Sequence, residues 1–127
     1  MMQFKIAGWE SGNIGNWKPE EIQANIDFLG RFRKVLSETG EFVGTEGLGG
    51  PENLKIVRAN PDGTPAITDG PFPEAKEFLA GYWIIDVETP ERACEIAAML
   101  SAIPGPGGKP SNLPIEVRPI MHGCGDV

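Results

Sequence analysis

With 127 residues the chain accommodates one domain, and a core of that size buries roughly 65–70% of the surface its unfolded chain exposes. An apolar fraction of 40%, with three Trp and six Phe, marks a packed globule rather than a disordered chain. The formal charge of -7 weighs against a nucleic acid partner, because such binding needs clustered cations that release counterions. Only Arg31, Arg33 and Lys34 lie close together, a grouping expected of solvated helix side chains. No apolar run reaches the ~20 residues that span a bilayer, and the N-terminal stretch has no basic segment followed by an apolar one, so no membrane association and a cytoplasmic location are expected. Cys94 and Cys124 have no metal-type spacing, which fits free thiols in a reducing compartment, and Cys94 reads as core packing.

Along the chain, Met2, Phe4 and Ile6 alternate with Gln3, Lys5 and Ala7, the period-two pattern of a half-buried strand over residues 2–8. Residues 10–17, with Gly12, Gly15 and two Asn, read as a loop. Pro19, Glu20 and Glu21 open a helix over residues 19–39, with Ile22, Ile26, Leu29, Phe32 and Leu36 as its apolar stripe and Phe28 and Val35 broadening it. Gly40 stops that helix. Residues 41–48 form a second strand that Gly49, Gly50 and Pro51 break. Residues 54–58 and 65–68 are the arms of a hairpin about Asn60, Pro61, Asp62 and Gly63.

Residues 74–79 suit a single helical turn, and residues 80–87, rich in β-branched and aromatic side chains, form the clearest strand. Thr89, Pro90 and Glu91 then supply a cap oxygen, a fixed φ and a favourable charge for a second helix with Ala93, Ile96, Ala97 and Leu100 on one face. Residues 104–110 cannot continue a helix. Residues 115–120 end the pattern as a strand near a sheet edge, limited by Pro114 and Pro119.

Two helices cover only one face of an antiparallel sheet, which gives a ferredoxin-like α+β plan with an added hairpin. The opposite face stays partly apolar, and pairing with a second copy is the usual remedy, so a homodimer is expected. One domain over residues 1–121 is expected, with residues 122–127 as a flexible tail.

Several short sequences carry a family resemblance: Gly44-Thr45-Glu46-Gly47-Leu48, Thr68-Asp69-Gly70-Pro71-Phe72 with Glu74 and Lys76, Gly81-Tyr82 before Ile85-Asp86-Val87, and Glu116-Val117-Arg118-Pro119. In order and spacing they resemble the YCII-related proteins, specifically the Asp-Gly-Pro-Phe subgroup, over about residues 2–120. The resemblance implies a dimeric α+β barrel with a pocket between the sheet and neighbouring segments. It also implies a functional link to extracytoplasmic-function sigma factors, beside which some subgroup members are encoded. Related proteins outside the subgroup use a His-Asp pair, and one branch resembles a dehydrochlorinase of chlorinated aromatics. This chain departs from that pair: the histidine position falls near Ile26 and the aspartate position near Glu38, so the imidazole that moves protons near neutral pH is missing.

From the residues themselves, Asp69 is the candidate general base if partly desolvated on its Gly70-Pro71 turn; the alternative is an Asx-type turn. Glu46 and Glu74 are candidate neighbours that raise its pKa, or else partners of Lys76 and Arg118 in rim ion pairs. Lys76 and Arg118 are also candidate anion ligands. Tyr82, Trp83 and Trp9 are candidate aromatic walls, although Tyr82 and Trp83 face opposite sides of one strand. His122 and Cys124 offer two metal ligands where a zinc site needs more, and the glycine-rich segments lack a phosphate-loop pattern, so no metal or cofactor is expected. The sequence therefore supports a small-molecule-binding or accessory and regulatory module with a pocket near Asp69, bordered by Asp69, Glu46, Glu74 and Tyr82. The alternative is a cofactor-independent lyase whose carboxylate base acts on a small cyclic or aromatic substrate.

Overall fold

Period-two alternation sets the architecture of the computed structural model, which describes residues 2–10, 18–48, 53–69 and 78–121, with Trp9, Glu10 and residues 78–80 described by backbone alone. The elements run β1 (Met2–Glu10), α1 (Pro19–Glu38), β2 (Phe42–Gly47), β3 (Lys55–Ala59), β4 (Pro65–Asp69), β5 (Phe78–Val87), α2 (Pro90–Ser101) and β6 (Ile115–Pro119). One four-stranded sheet has the order β2-β5-β1-β6, and β3 and β4 form a separate two-stranded sheet. Every pairing is antiparallel. This is the expected ferredoxin-like α+β arrangement with its added hairpin, and β6 lies at a sheet edge.

Phe4 and Ile6 of β1 and Trp83, Ile85 and Val87 of β5 share one face and meet Phe32 and Leu36 of α1 and Ala93, Ile96, Ala97 and Leu100 of α2. Trp83 is the hub: Phe32 meets it edge-on at 4.8 Å between centroids, and Phe42 does so at 5.8 Å. Ile6, Leu36, Ile85, Ile96 and Val87 are fully buried, and burying one such side chain is worth about 1.5–3 kcal/mol. The α2 face matches the sequence reading residue for residue.

Other readings need correction. The buried face of α1 runs through Asn25, Phe28, Leu29, Phe32 and Leu36, whereas Ile22, Ile26 and Val35 are exposed. The helix is rotated from the expected stripe because Glu21 and Asn25 face the loop after α2. Asn25 donates to the Pro104 carbonyl, and the Glu21 carboxylate accepts the Gly107 N–H and the Lys18 N–H. Those two backbone donors, Gly107 first, hold the Glu21 pKa below its usual value. Cys94 is exposed, one position and so about 100° around the helix from buried Ala93. Phe78 and Leu79 belong to β5, not to a helical turn, and residues 74–77 lie outside the described residues, as do residues 11–17, 49–52 and the tail 122–127. No described helix is long and apolar enough to cross a membrane.

Gly40 takes a φ of 78° after the α1 C-cap Thr39, a conformation that favours glycine. The chain then enters β2 through Glu41, the one buried charged residue among those described. Its carboxylate accepts two bonds from Arg92 (Nε to Oε2 2.9 Å, Nη2 to Oε1 3.0 Å) and one from the Thr39 hydroxyl at 2.7 Å. The end of α1, the start of β2 and the first turn of α2 are thereby tied together. At the other end of the sheet, Gly47, Gly81 and Gly8 lie in one cross-strand row. A Cβ on Gly81 would stand 2.9 Å from the Glu46 carbonyl oxygen, while one on Gly47 would meet nothing within 4 Å.

The Arg92 guanidinium, foremost, and the Thr39 hydroxyl depress the Glu41 pKa. Its stabilisation is therefore complete above the unfolded glutamate value of about 4.3 and is lost as pH falls through the lower folded value. Glu41→Gln should cost about 1–3 kcal/mol near neutral pH and flatten the acid limb of a denaturation series; an unchanged acid limb would contradict the assignment. Gly81→Ala should lower stability by about 1–3 kcal/mol while Gly47→Ala changes it far less, as thermal melts would report.

Candidate functional site

Since Phe4, Ile6, Trp83 and Ile85 face the helices, the alternate residues of the same strands face away from them. The ladder aligns Glu46, Tyr82, Ala7 and Glu116 in one cross-strand row, Gly44, Ile84, Lys5 and Arg118 in the next, and Asp86 opposite Gln3 in a third. Three residues singled out from the sequence, Glu46, Tyr82 and Arg118, thus share the helix-free face. Tyr82 and Ile84 are half-buried there, and Glu46 and Arg118 are exposed. Trp83 lies on the opposite, helix-packed side, as the alternation required.

Charge on this face is arranged in cross-strand steps. Lys5 and Arg118 lie directly opposite each other, an unfavourable like-charge pairing. Each finds relief elsewhere: the Lys5 ammonium sits 5.6 Å from the centroid of the Tyr82 ring, and Arg118 Nη1 lies 3.8 Å from Glu116 Oε1 on its own strand. Ala7, between Tyr82 and Glu116 in the ladder, is buried. At the far end, the Asp86 N–H donates to the Glu41 carbonyl at 2.8 Å, beside the irregularity in β2 between Phe42 and Gly44. Such irregularities are over-represented beside functional sites because they re-aim side chains.

Asp69 occupies a different setting. It ends β4 in the two-stranded sheet, its side chain is 83% exposed, and Lys55 Nζ lies 2.7 Å from its Oδ1. A carboxylate so open to water lacks the desolvated setting that a general base needs. Within the hairpin, Asp62 forms an Asx-type turn: its Oδ1 accepts the Thr64 N–H at 3.0 Å and the Thr64 hydroxyl at 2.6 Å. Those bonds, the hydroxyl first, lower the Asp62 pKa. Glu46 and Asp69 lie in separate sheets. Glu74 and Lys76, Gly70-Pro71-Phe72, His122 and Cys124 lie outside the described residues, as does the Trp9 side chain. Ile26 and Glu38, at the positions of the His-Asp pair, are exposed on α1.

Lys5, Ile84 and Asp86 join the site residues only once the strand register is known, although their signal is simple. Once Trp83 is assigned to the core, residues 82, 84 and 86 must share the other face, and an antiparallel neighbour must place Lys5 among them. Chemically, the face offers one cation over an aromatic ring, a second exposed cation, a half-buried aliphatic centre and three carboxylates. That combination suits binding a small polar molecule better than it supplies a complete acid, base and charge stabiliser.

The model of the YCII-related domain matches residues 9–104. An uncharacterized protein of Rhizobium meliloti (strain 1021) is 29% identical over 104 residues, covering 82% of this chain and 79% of that protein. With its family-model match extending from β1 through α2 and across both intervening sheets, the chain belongs to the YCII-related family.

Proposed function

We propose that the protein is a small-molecule-binding or accessory module of the Asp-Gly-Pro-Phe subgroup, which works as a homodimer with its ligand on the helix-free sheet face. The observation that carries this reading is the convergence of Glu46, Tyr82, Arg118 and Lys5 around half-buried Ile84 on a face that neither helix covers. A second copy applied to that face by a two-fold axis would exclude water from Tyr82 and Ile84 and enclose a pocket between the sheets. Asp69, which ends β4, borders the pocket in this reading. Binding is favoured over catalysis because the Asp69 carboxylate is solvated and paired with Lys55 rather than poised as a base.

Sedimentation equilibrium tests the assembly: the wild type should have twice the chain mass, and Ile84→Glu should be monomeric with an unchanged circular dichroism spectrum. A monomeric wild type would contradict the proposal. Asp69→Asn should change stability by no more than about 1 kcal/mol in urea denaturation, since it removes only an exposed ion pair. A markedly larger loss would place Asp69 in a structural role that its exposure does not explain.

A further inference from the structure

Asp86 carries a polar atom that the fold leaves unused. Its Oδ1 is buried and meets no hydrogen-bond donor among the described residues. A carboxylate oxygen withdrawn from water without a donor is destabilising, and in a native structure such a group calls for an explanation. Asp86 lies two residues from Ile84 on the helix-free face, and Lys5 lies directly opposite Ile84, hence diagonal to Asp86. Diagonal neighbours in an antiparallel ladder stand roughly 7–8 Å apart. An acceptor, an aliphatic floor and a cation therefore follow one another along this face, the Lys5 ammonium lying toward Tyr82, on the far side of Ile84 from Asp86.

We propose that Asp86 is the hydrogen-bond-accepting end of a binding site on this face, and that its ligand is a small acid with a hydroxyl or amine donor at one end, a carboxylate at the other and an apolar body between. This rests on the ligand-binding reading above and names the chemistry of the ligand. Asp86 receives the donor, Ile84 supports the body, and Lys5 with Arg118 meets the carboxylate. Glu46 and Glu116 occupy the two ends of the Tyr82 row, where they repel an acid that slides along the sheet away from Asp86.

The test is an amide NMR titration with para-hydroxybenzoate, a rigid molecule of suitable length, against para-anisate, in which a methyl group replaces the donor hydrogen. The wild type should bind para-hydroxybenzoate about tenfold more tightly or better. Asp86→Val should abolish that preference with an unchanged or higher melting temperature, and the isosteric Asp86→Asn should reduce it. Equal affinity of the wild type for both compounds overturns this inference and leaves the binding face standing. If neither compound perturbs the Lys5, Tyr82 and Ile84 amides, the proposed function falls and this inference with it. An Asp86→Val protein that melts several degrees lower, or that dissociates to monomers, assigns the carboxylate a structural partner and also overturns the inference.

Discussion

Strict alternation along β5 is the constraint on which the rest depends. With β2 on one side and β1 on the other, this strand commits Trp83, Ile85 and Val87 to the helices and Tyr82, Ile84 and Asp86 to the opposite face. A register slip of one residue would exchange the two sets, placing a carboxylate and a phenol against Phe32 and Leu36. The core thereby fixes the register, and the register composes the polar face. Core and candidate site are two sides of one strand.

The periphery adjusts to that strand. Glu41 and Arg92 join the end of α1, the start of β2 and the beginning of α2 on the helix side, while the backbone carbonyl of the same Glu41 receives the Asp86 N–H. Close approach of β2 to Gly81 continues this at the other end. The β3–β4 hairpin, by contrast, has its own sheet, with exposed Val57 and Ile67 directly opposite each other and an exposed Lys55–Asp69 pair. It is organised by its turn, through Asn60, Asp62 and Thr64, more than by the core.

Much of this was legible because local signals were strong. Thr89-Pro90-Glu91 marked the start of α2, its four buried residues showed the helical period, and Asp62-Gly63 marked the hairpin. What misled was information that only tertiary contact supplies. Ile22 and Ile26 form as good an apolar stripe as Phe28 and Phe32, and the rotation of α1 is decided by Glu21 and Asn25 meeting a loop some eighty residues away in sequence. Residue type alone places Cys94 in the core, yet its position on α2 outweighs its hydrophobicity. For the site, the conspicuous Asp69 turn drew attention to the hairpin, whereas the cross-strand register, which sequence does not state, gathered Lys5, Ile84 and Asp86 around Tyr82.

Amide hydrogen exchange on β5 tests the central claim most directly. A strand bonded on both sides and packed under two helices should exchange only through global unfolding, so the amides of Trp83, Ile84, Ile85 and Asp86 should be the slowest in the molecule, with β3 and β4 much faster. Exchange on β5 as fast as in the hairpin would mean that it is not the middle of the sheet, and the division of its residues between core and binding face would fail.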